Sequence, residues 1–391
     1  MRNFIKKHFL IRPKLISIAL VAQLKGRSNI DCVRKKTTLI SMVKNEKGII
    51  QVFSAHVLSL FDRIIFIDHL SSDGTRKYIE TLSQKHPNLE CYFFDEPGYY
   101  QSELMTWAAQ NLVDNEIPGW VFFLDADEFL PFKSKEEFDN RLSQLGSYPV
   151  ISMPWLNLVP IDMESDLILN QVFLKPASPS RFLKIAFQPN LISIKDFFIA
   201  QGNHALFAGT RSSKVKYPAK NGFPIYHLPI RTKTQLREKI LQGVEAYRQM
   251  GGNRRGKIGS HWYDIYRIME ANSLTNELMA GIAAKYSSEL EPPYERSLDE
   301  LRENGYGELK MEICVSEAAI SFNDAVNGSR SEAATNGDEA HLSINKGKEL
   351  MRAPQILDQG NNSLGEKSQN NRNNRKIYFD KSDRSIQIIG E

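Results

Sequence analysis

Asp125, Asp127 and Glu128 stand directly behind an unbroken apolar run, Trp120-Val-Phe-Phe-Leu124. Such a run reads as a strand buried on both faces. Carboxylates at its end are costly to keep charged unless something positive compensates them. A divalent cation does this, because hard oxygen ligands suit Mg²⁺ or Mn²⁺. In open α/β sheets, ligands also bind at the carboxyl ends of strands. An acidic pair arises by chance in many surface turns, so its weight rests on what the fold brings beside it.

Two other clusters occupy equivalent places. Residues 37–43 read as a strand ending in Asn45-Glu46, and residues 63–68 as a second strand that ends in Asp68 and leads to Ser71-Ser-Asp73-Gly74-Thr75. Between them Ile49, Ile50, Phe53, Val57 and Leu60 recur at helical spacing. A helix from Thr75 to near Lys85, a third strand at 89–94, a helix around 102–112 and the fourth strand at 120–124 complete the alternation. This rhythm predicts an α/β fold with a mixed, mostly parallel sheet flanked by helices. The acidic clusters then meet on one edge. Singly, each has a plainer reading as a helix start, an N-capped turn or a strand-ending loop.

Val43-Lys-Asn45-Glu46, Ile67-Asp68-His-Leu-Ser71-Ser-Asp73-Gly74-Thr75 and Phe123-Leu-Asp125-Ala-Asp127-Glu128-Phe129 together resemble a glycosyltransferase family 2-like protein of the Rossmann-like GT-A fold. The similarity is to the branch whose metal motif reads Asp-x-Asp-Glu-Phe. Order and spacing agree over residues 37–135, and a looser likeness runs through Gly202-Asn-His204 and Tyr226-His227 to about residue 290. His69 departs from the pattern, since such families often carry a second Asp there. The resemblance implies a nucleotide-sugar donor, a saccharide or lipid-linked acceptor, and Mn²⁺ or Mg²⁺ as cofactor. Carried over, the metal ligands are Asp125, Asp127, His204 and His227, with Asp127 first. Donor contacts fall to Asn45, Glu46, Asp68, Asp73, Asp125 and Lys184, with Asp73 also suited to capping the helix it precedes. Arg231 and Arg237 are further phosphate candidates, and either also reads as a surface charge.

The base for an inverting transfer is left unassigned, with Glu128 and Asp166 as candidates beside Asp162, Glu164 and Asp196. Both histidines also read as structural residues. Tyr99, Tyr100 and Trp107 read either as stacking platforms or as core, and His261-Trp262 either as acceptor cover or as packing. A nucleotidyltransferase on sugar phosphates is a rival reading, but the Gly-rich basic loop it needs is missing at Val43-Lys-Asn-Glu46. A non-catalytic binding protein of the same fold is another, opposed by the intact Asp125 and Asp127.

At 41% hydrophobic and 25% charged the composition is that of an ordinary globular protein. Residues 1–36 hold ten Lys/Arg against Asp31, a local +9; with +4 for the whole chain, the rest carries −5. Such a body excludes nucleic acid as a first choice of partner. The apolar run at 15–24 is too short to span a bilayer. It reads as an interfacial helix on an anionic membrane, a surface helix or a signal peptide. Cys32, Cys91 and Cys314 are few and scattered, which suggests a reducing compartment. The expected organisation is a basic segment at 1–36, a donor half at 37–148, an acceptor half with C-terminal helices at 149–290, and a largely low-complexity or disordered extension at 291–391. The expected location is cytoplasmic, at the inner face of the membrane.

Overall fold

The structure, a computed structural model, describes residues 36–114, 119–165, 168–169, 171–192, 197–210, 213–249, 260–286, 292–317, 321–327, 374–380 and 385–389. The basic segment before Lys36, the base candidates Asp166 and Asp196, and the His261 side chain lie outside what is described.

β1 (Lys36–Val43), β2 (Arg63–His69), β3 (Leu89–Phe94) and β4 (Gly119–Phe123) pair in parallel in the order β3-β2-β1-β4. They are joined by α1 (Ile50–Leu60), α2 (Thr75–Lys85) and α3 (Gln101–Asn111). Because side chains alternate along a strand, Leu39, Phe66 and Phe122 meet Phe53 and Val57 of α1 and Tyr78 and Leu82 of α2 in one core cluster. Ile40, Ile65, Ile67, Val121 and Phe123 join Leu104, Met105 and Ala108 of α3 in a second. Burying each large side chain contributes about 1.5–3 kcal/mol.

Beyond β4 follow β5 (Glu128–Phe129), α4 (Lys135–Gln144), β6 (Val150–Asn157), β7 (Val159–Pro160), β8 (Val172–Lys175), β9 (Leu183–Phe187) and β10 (Phe197–Ile199). Then come β11 (Leu206–Thr210), β12 (Ser213–Lys216), β13 (Lys220–Asn221) and β14 (Ile225–His227). β9 pairs antiparallel with both β4 and β6, β14 runs parallel to β6, and β5 lies antiparallel on β14 with Glu128 opposite His227. One mixed, mostly parallel sheet of eleven strands thus crosses the expected boundary at 148.

α5 (Lys233–Gln249), α6 (Ser260–Ala271) and α7 (Asn276–Ala284) bury Leu236, Ile240, Ile265, Leu278 and Ile282 against one another. A Cβ at Gly243 would sit 2.4 Å from the Trp262 ring, so this glycine admits Trp262 against α5. Among the described residues no helix is long and apolar enough to cross a membrane.

The extension expected at 291–391 is described in part. The extension contains α8 (Leu298–Glu303), β15 (Gly307–Lys310), α9 (Phe322–Asn327), β16 (Asn374–Asp380) and β17 (Ser385–Ile389). β15 pairs with β8, Phe322 stacks on Tyr78, and β16 lies parallel on β3 with Ile377 buried. An open β3 edge would leave unpaired backbone groups, and β16 covers it.

His56 on α1 ties this extension to the core. Its Nδ1 donates to Cys314 O (2.8 Å), and its Nε2 accepts from Leu130 N (3.0 Å). The neutral ring satisfies both contacts, whereas a proton on Nε2 would face the Leu130 N–H. Burial lowers the His56 pKa to about 4, against the pull of the Cys314 carbonyl. A depressed histidine leaves the unfolded chain binding the extra proton, so stability is lost as pH falls from 6.5 through about 4. The expected slope from His56 is about 1.4 kcal/mol per pH unit. Urea unfolding at pH 7, 5.5 and 4.5 measures it, and His56→Gln should flatten the dependence.

Candidate functional site

The end of β1 is held by the segment after β2. The backbone N–H groups of Asn45, Glu46 and Lys47 donate in turn to Ser71 Oγ (3.0 Å), Thr75 Oγ1 (2.9 Å) and Asp73 Oδ2 (2.9 Å). Asn45 Oδ1 accepts from Ser72 N at 2.7 Å, and Asn45 keeps a left-handed φ of 54° that asparagine tolerates. The Asp73 Oδ1 accepts from Thr75 N at 2.9 Å, so both its oxygens are spent on backbone. Asp73 is therefore a cap, and its assignment to the donor is corrected.

Asp68 is held as well. Its carboxylate is fully buried and accepts from Arg76 Nε (2.7 Å) and Ser71 N (3.3 Å), while Arg76 also reaches Asp95 (2.6 Å). A guanidinium from α2 thus holds one oxygen of this donor candidate, and the buried Oδ1 has no hydrogen-bond partner.

The acidic motif behind β4 divides its work. The Asp125 Oδ2 meets Lys184 Nζ at 2.6 Å, and its Oδ1 accepts from Gln101 Nε2 at 3.0 Å. Glu128 turns inward: its Oε2 accepts from Asp125 N (3.0 Å), and its Oε1, 3.3 Å from Lys184 Nζ, has no partner of hydrogen-bonding geometry. Burial pushes the Glu128 carboxyl well above its ordinary range, with Lys184 opposing. Burial would lower Lys184 as well, but Asp125 and Glu128 hold it raised. Glu128 lies behind the cavity wall, which removes it as an acceptor base.

Asp127 has a cation of its own. Its Oδ2 lies 2.5 Å from Lys239 Nζ and 3.7 Å from His227 Nε2. Burial would raise the Asp127 carboxyl, yet Lys239 and His227 hold it well below the usual range. Burial lowers His227 to about 3, with Lys239 and Lys184 adding to the shift against Asp127. The neutral ring donates from Nδ1 to Asn157 Oδ1 (2.8 Å), whose amide is oriented by donation to Tyr286 O (3.3 Å). The His227 Nε2 lone pair is thereby turned toward Asp127. Ligand atoms of Asp127, Glu128 and His227 all lie within 4.8 Å of one another, so this buried group can hold a metal ion.

Asp125, Asp127 and His227 line a cavity of about 230 Å³ at the carboxyl edge of the sheet. Asn45, Glu46, Lys44, Tyr99, Lys184 and His204 contribute to it, and so do Trp155, Arg231, Gln235, Lys239 and Trp262. Desolvation pushes Glu46 up to about 7, Arg231 and Lys239 pulling it down and Asp127 and Asp125 pushing it further up. A larger cleft, about 380 Å³, opens at the amino edge. There Asp62 is occupied by Thr37 N (2.9 Å) and Thr37 Oγ1 (3.1 Å), and Arg63 by Glu90 (2.6 Å). The site chemistry lies at the carboxyl edge.

No family model and no curated protein matches the chain. Among solved structures, mannose-6-phosphate isomerase from Helicobacter pylori is similar over 52% of this chain and 88% of its own, at 10% identity and a TM-score of 0.24. A likeness that slight carries nothing about fold or chemistry.

Of the sequence candidates, the structure brings Asn45, Glu46, Asp125, Asp127, Lys184, His204 and His227 into one cavity. His204 lines it with its Nδ1 against Leu183 O (2.5 Å), apart from the Asp127 group. Asp162 accepts from Glu164 N (3.0 Å), and Glu164 pairs with Lys233 (3.1 Å), both away from the cavity. Tyr99 stands in the wall against Tyr247 and Trp262, while Tyr100 and Trp107 pack on Phe94 and Tyr92. Sequence reasoning missed Lys239, Gln101 and Asn157. Lys239 belongs to the α5 stripe Gln235, Lys239, Gln242 and Ala246, whose helical spacing marks one face without saying what it faces.

Proposed function

We propose that this protein is a metal-dependent glycosyltransferase of the GT-A type, moving a sugar from a nucleotide-sugar to a saccharide or lipid-linked acceptor with inversion. The observation that carries the reading is the Asp127 carboxylate and the neutral His227 Nε2, 3.7 Å apart, opening into a cavity at the carboxyl edge of a mostly parallel sheet. Carboxylate oxygen with one imidazole nitrogen suits Mn²⁺ or Mg²⁺. When bound, such a cation supplies charge neutralisation for a departing diphosphate. Asn157 aims the His227 ring, Lys184 and Gln101 hold Asp125, and Tyr99, Trp155 and Trp262 line the cavity that a sugar would enter. Glu46, with a pKa near 7 in the cavity wall, has the property that taking a proton from an acceptor hydroxyl needs.

A thermal-shift screen of UDP-, GDP-, CMP- and dTDP-sugars with Mn²⁺ tests the reading. One nucleotide class should stabilise the protein, by about 2.7 kcal/mol at a hundredfold excess over Kd, and should be turned over. Absence of both for every donor would sink it. Asn157→Ala is expected to weaken Mn²⁺ binding about 10- to 100-fold, measured by titration calorimetry.

A further inference from the structure

Four cationic side chains line the cavity, and each feels a carboxylate. Lys184 lies on Asp125, Lys239 lies on Asp127, half-buried Lys44 feels the charge of Asp68, and Arg231 feels Glu46 and Asp127. Arg231 differs in its hydrogen bonds. Its side chain sits in the cavity wall at 5% exposure, and its Nε and Nη1 have no hydrogen-bond partner. Buried guanidinium nitrogens without acceptors are costly, and native proteins rarely leave them so.

The segment that carries Arg231 is built to hold it there. It follows β14 directly, so His227 and Arg231 enter the same cavity from one short stretch. Leu228 N donates to Asp127 O (2.8 Å), Arg231 N donates to Gln235 Oε1 (3.0 Å), and Lys239 Nζ also donates to Pro229 O (3.2 Å). The rival phosphate candidates drop out: Lys184 is engaged by Asp125 and Glu128, and Arg237 is exposed on the outer side of α5.

We infer that Arg231 is the seat of an oxyanion subsite in this cavity, built for a phosphate-type group beside the Asp127 centre. A planar guanidinium with unmet donors matches several oxygens on one centre. The shared chemistry fits the diphosphate of a donor or a phosphate carried by an acceptor. Only the naming of those two sources rests on the transferase reading.

The test uses the full chain and inorganic pyrophosphate as probe, followed by titration calorimetry with and without Mn²⁺. The wild type should bind, Arg231→Gln should bind about 10- to 100-fold more weakly, and Arg237→Gln should match the wild type. Arg231→Lys keeps the charge and loses the planar donors. It should lie between, and it decides the matter if the Gln variant does not fold. Pyrophosphate binding unchanged in both Arg231 variants, or absent in the wild type, overturns the subsite. In turnover, a raised donor KM in Arg231→Gln assigns the anion to the donor and a raised acceptor KM assigns it to the acceptor; neither moving overturns the subsite. If no nucleotide-sugar is turned over while pyrophosphate binding stays Arg231-dependent, the transferase reading fails and the subsite stands.

Discussion

Asp127→Ala is expected to remove metal-dependent donor turnover by about 10³-fold or more while the protein stays folded. The expectation follows from where the carboxylate points. Asp127 is the member of the acidic motif whose carboxylate lies 3.7 Å from a neutral imidazole nitrogen in the cavity, whereas Asp125 and Glu128 meet Lys184. The fold should survive because Lys239, partly exposed at the cavity wall, can rehydrate once its partner is gone. His227 keeps its bond to Asn157. Initial-rate assays across a Mn²⁺ series, with circular dichroism as the control for folding, check this. Unchanged turnover would remove Asp127 from the metal and with it the observation on which the functional proposal stands.

Lys184→Met should instead act on stability. Lys184 is fully buried between Asp125, at 2.6 Å, and Glu128, at 3.3 Å. Removing one partner from a buried ionic group leaves uncompensated charge, at a cost of about 3–5 kcal/mol. The loss should grow with pH. Glu128 is already raised by burial, and Lys184 is what restrains it. A carboxyl with a raised folded pKa contributes stability present below its unfolded value near 4.5 and lost as pH rises through the folded value. The variant should therefore lie nearest the wild type around pH 5 and farthest near pH 8. Mn²⁺ should recover part of the difference by replacing the missing positive charge. Guanidinium melts at the two pH values, with and without Mn²⁺, measure both effects; a pH-independent deficit would refute the charge account.

The alternation of strands and helices, the parallel pairing of the first four strands and the convergence of Asn45-Glu46 and Asp125-Asp127 on one edge were legible in the chain. Each is written locally: short apolar runs such as Ile64-Ile-Phe-Ile67 for the strands, helical period in Phe53, Val57 and Leu60, and turn chemistry in Ser71 to Thr75. Asp73 as a cap was legible for the same reason. Tertiary structure alone decided which charge answers which. Lys239 reaches Asp127 across 112 residues of sequence, Lys184 reaches Asp125 across 59, and Arg76 takes one oxygen of Asp68, which the motif alone offers to a ligand. It also decided that Glu128 turns inward behind the cavity wall and that β16 covers the β3 edge. Local periodicity determines where carboxylates emerge from a sheet. Their partners depend on loops and helices packed from far along the chain, where a lysine spaced for a helix face carries no mark of the carboxylate it will meet.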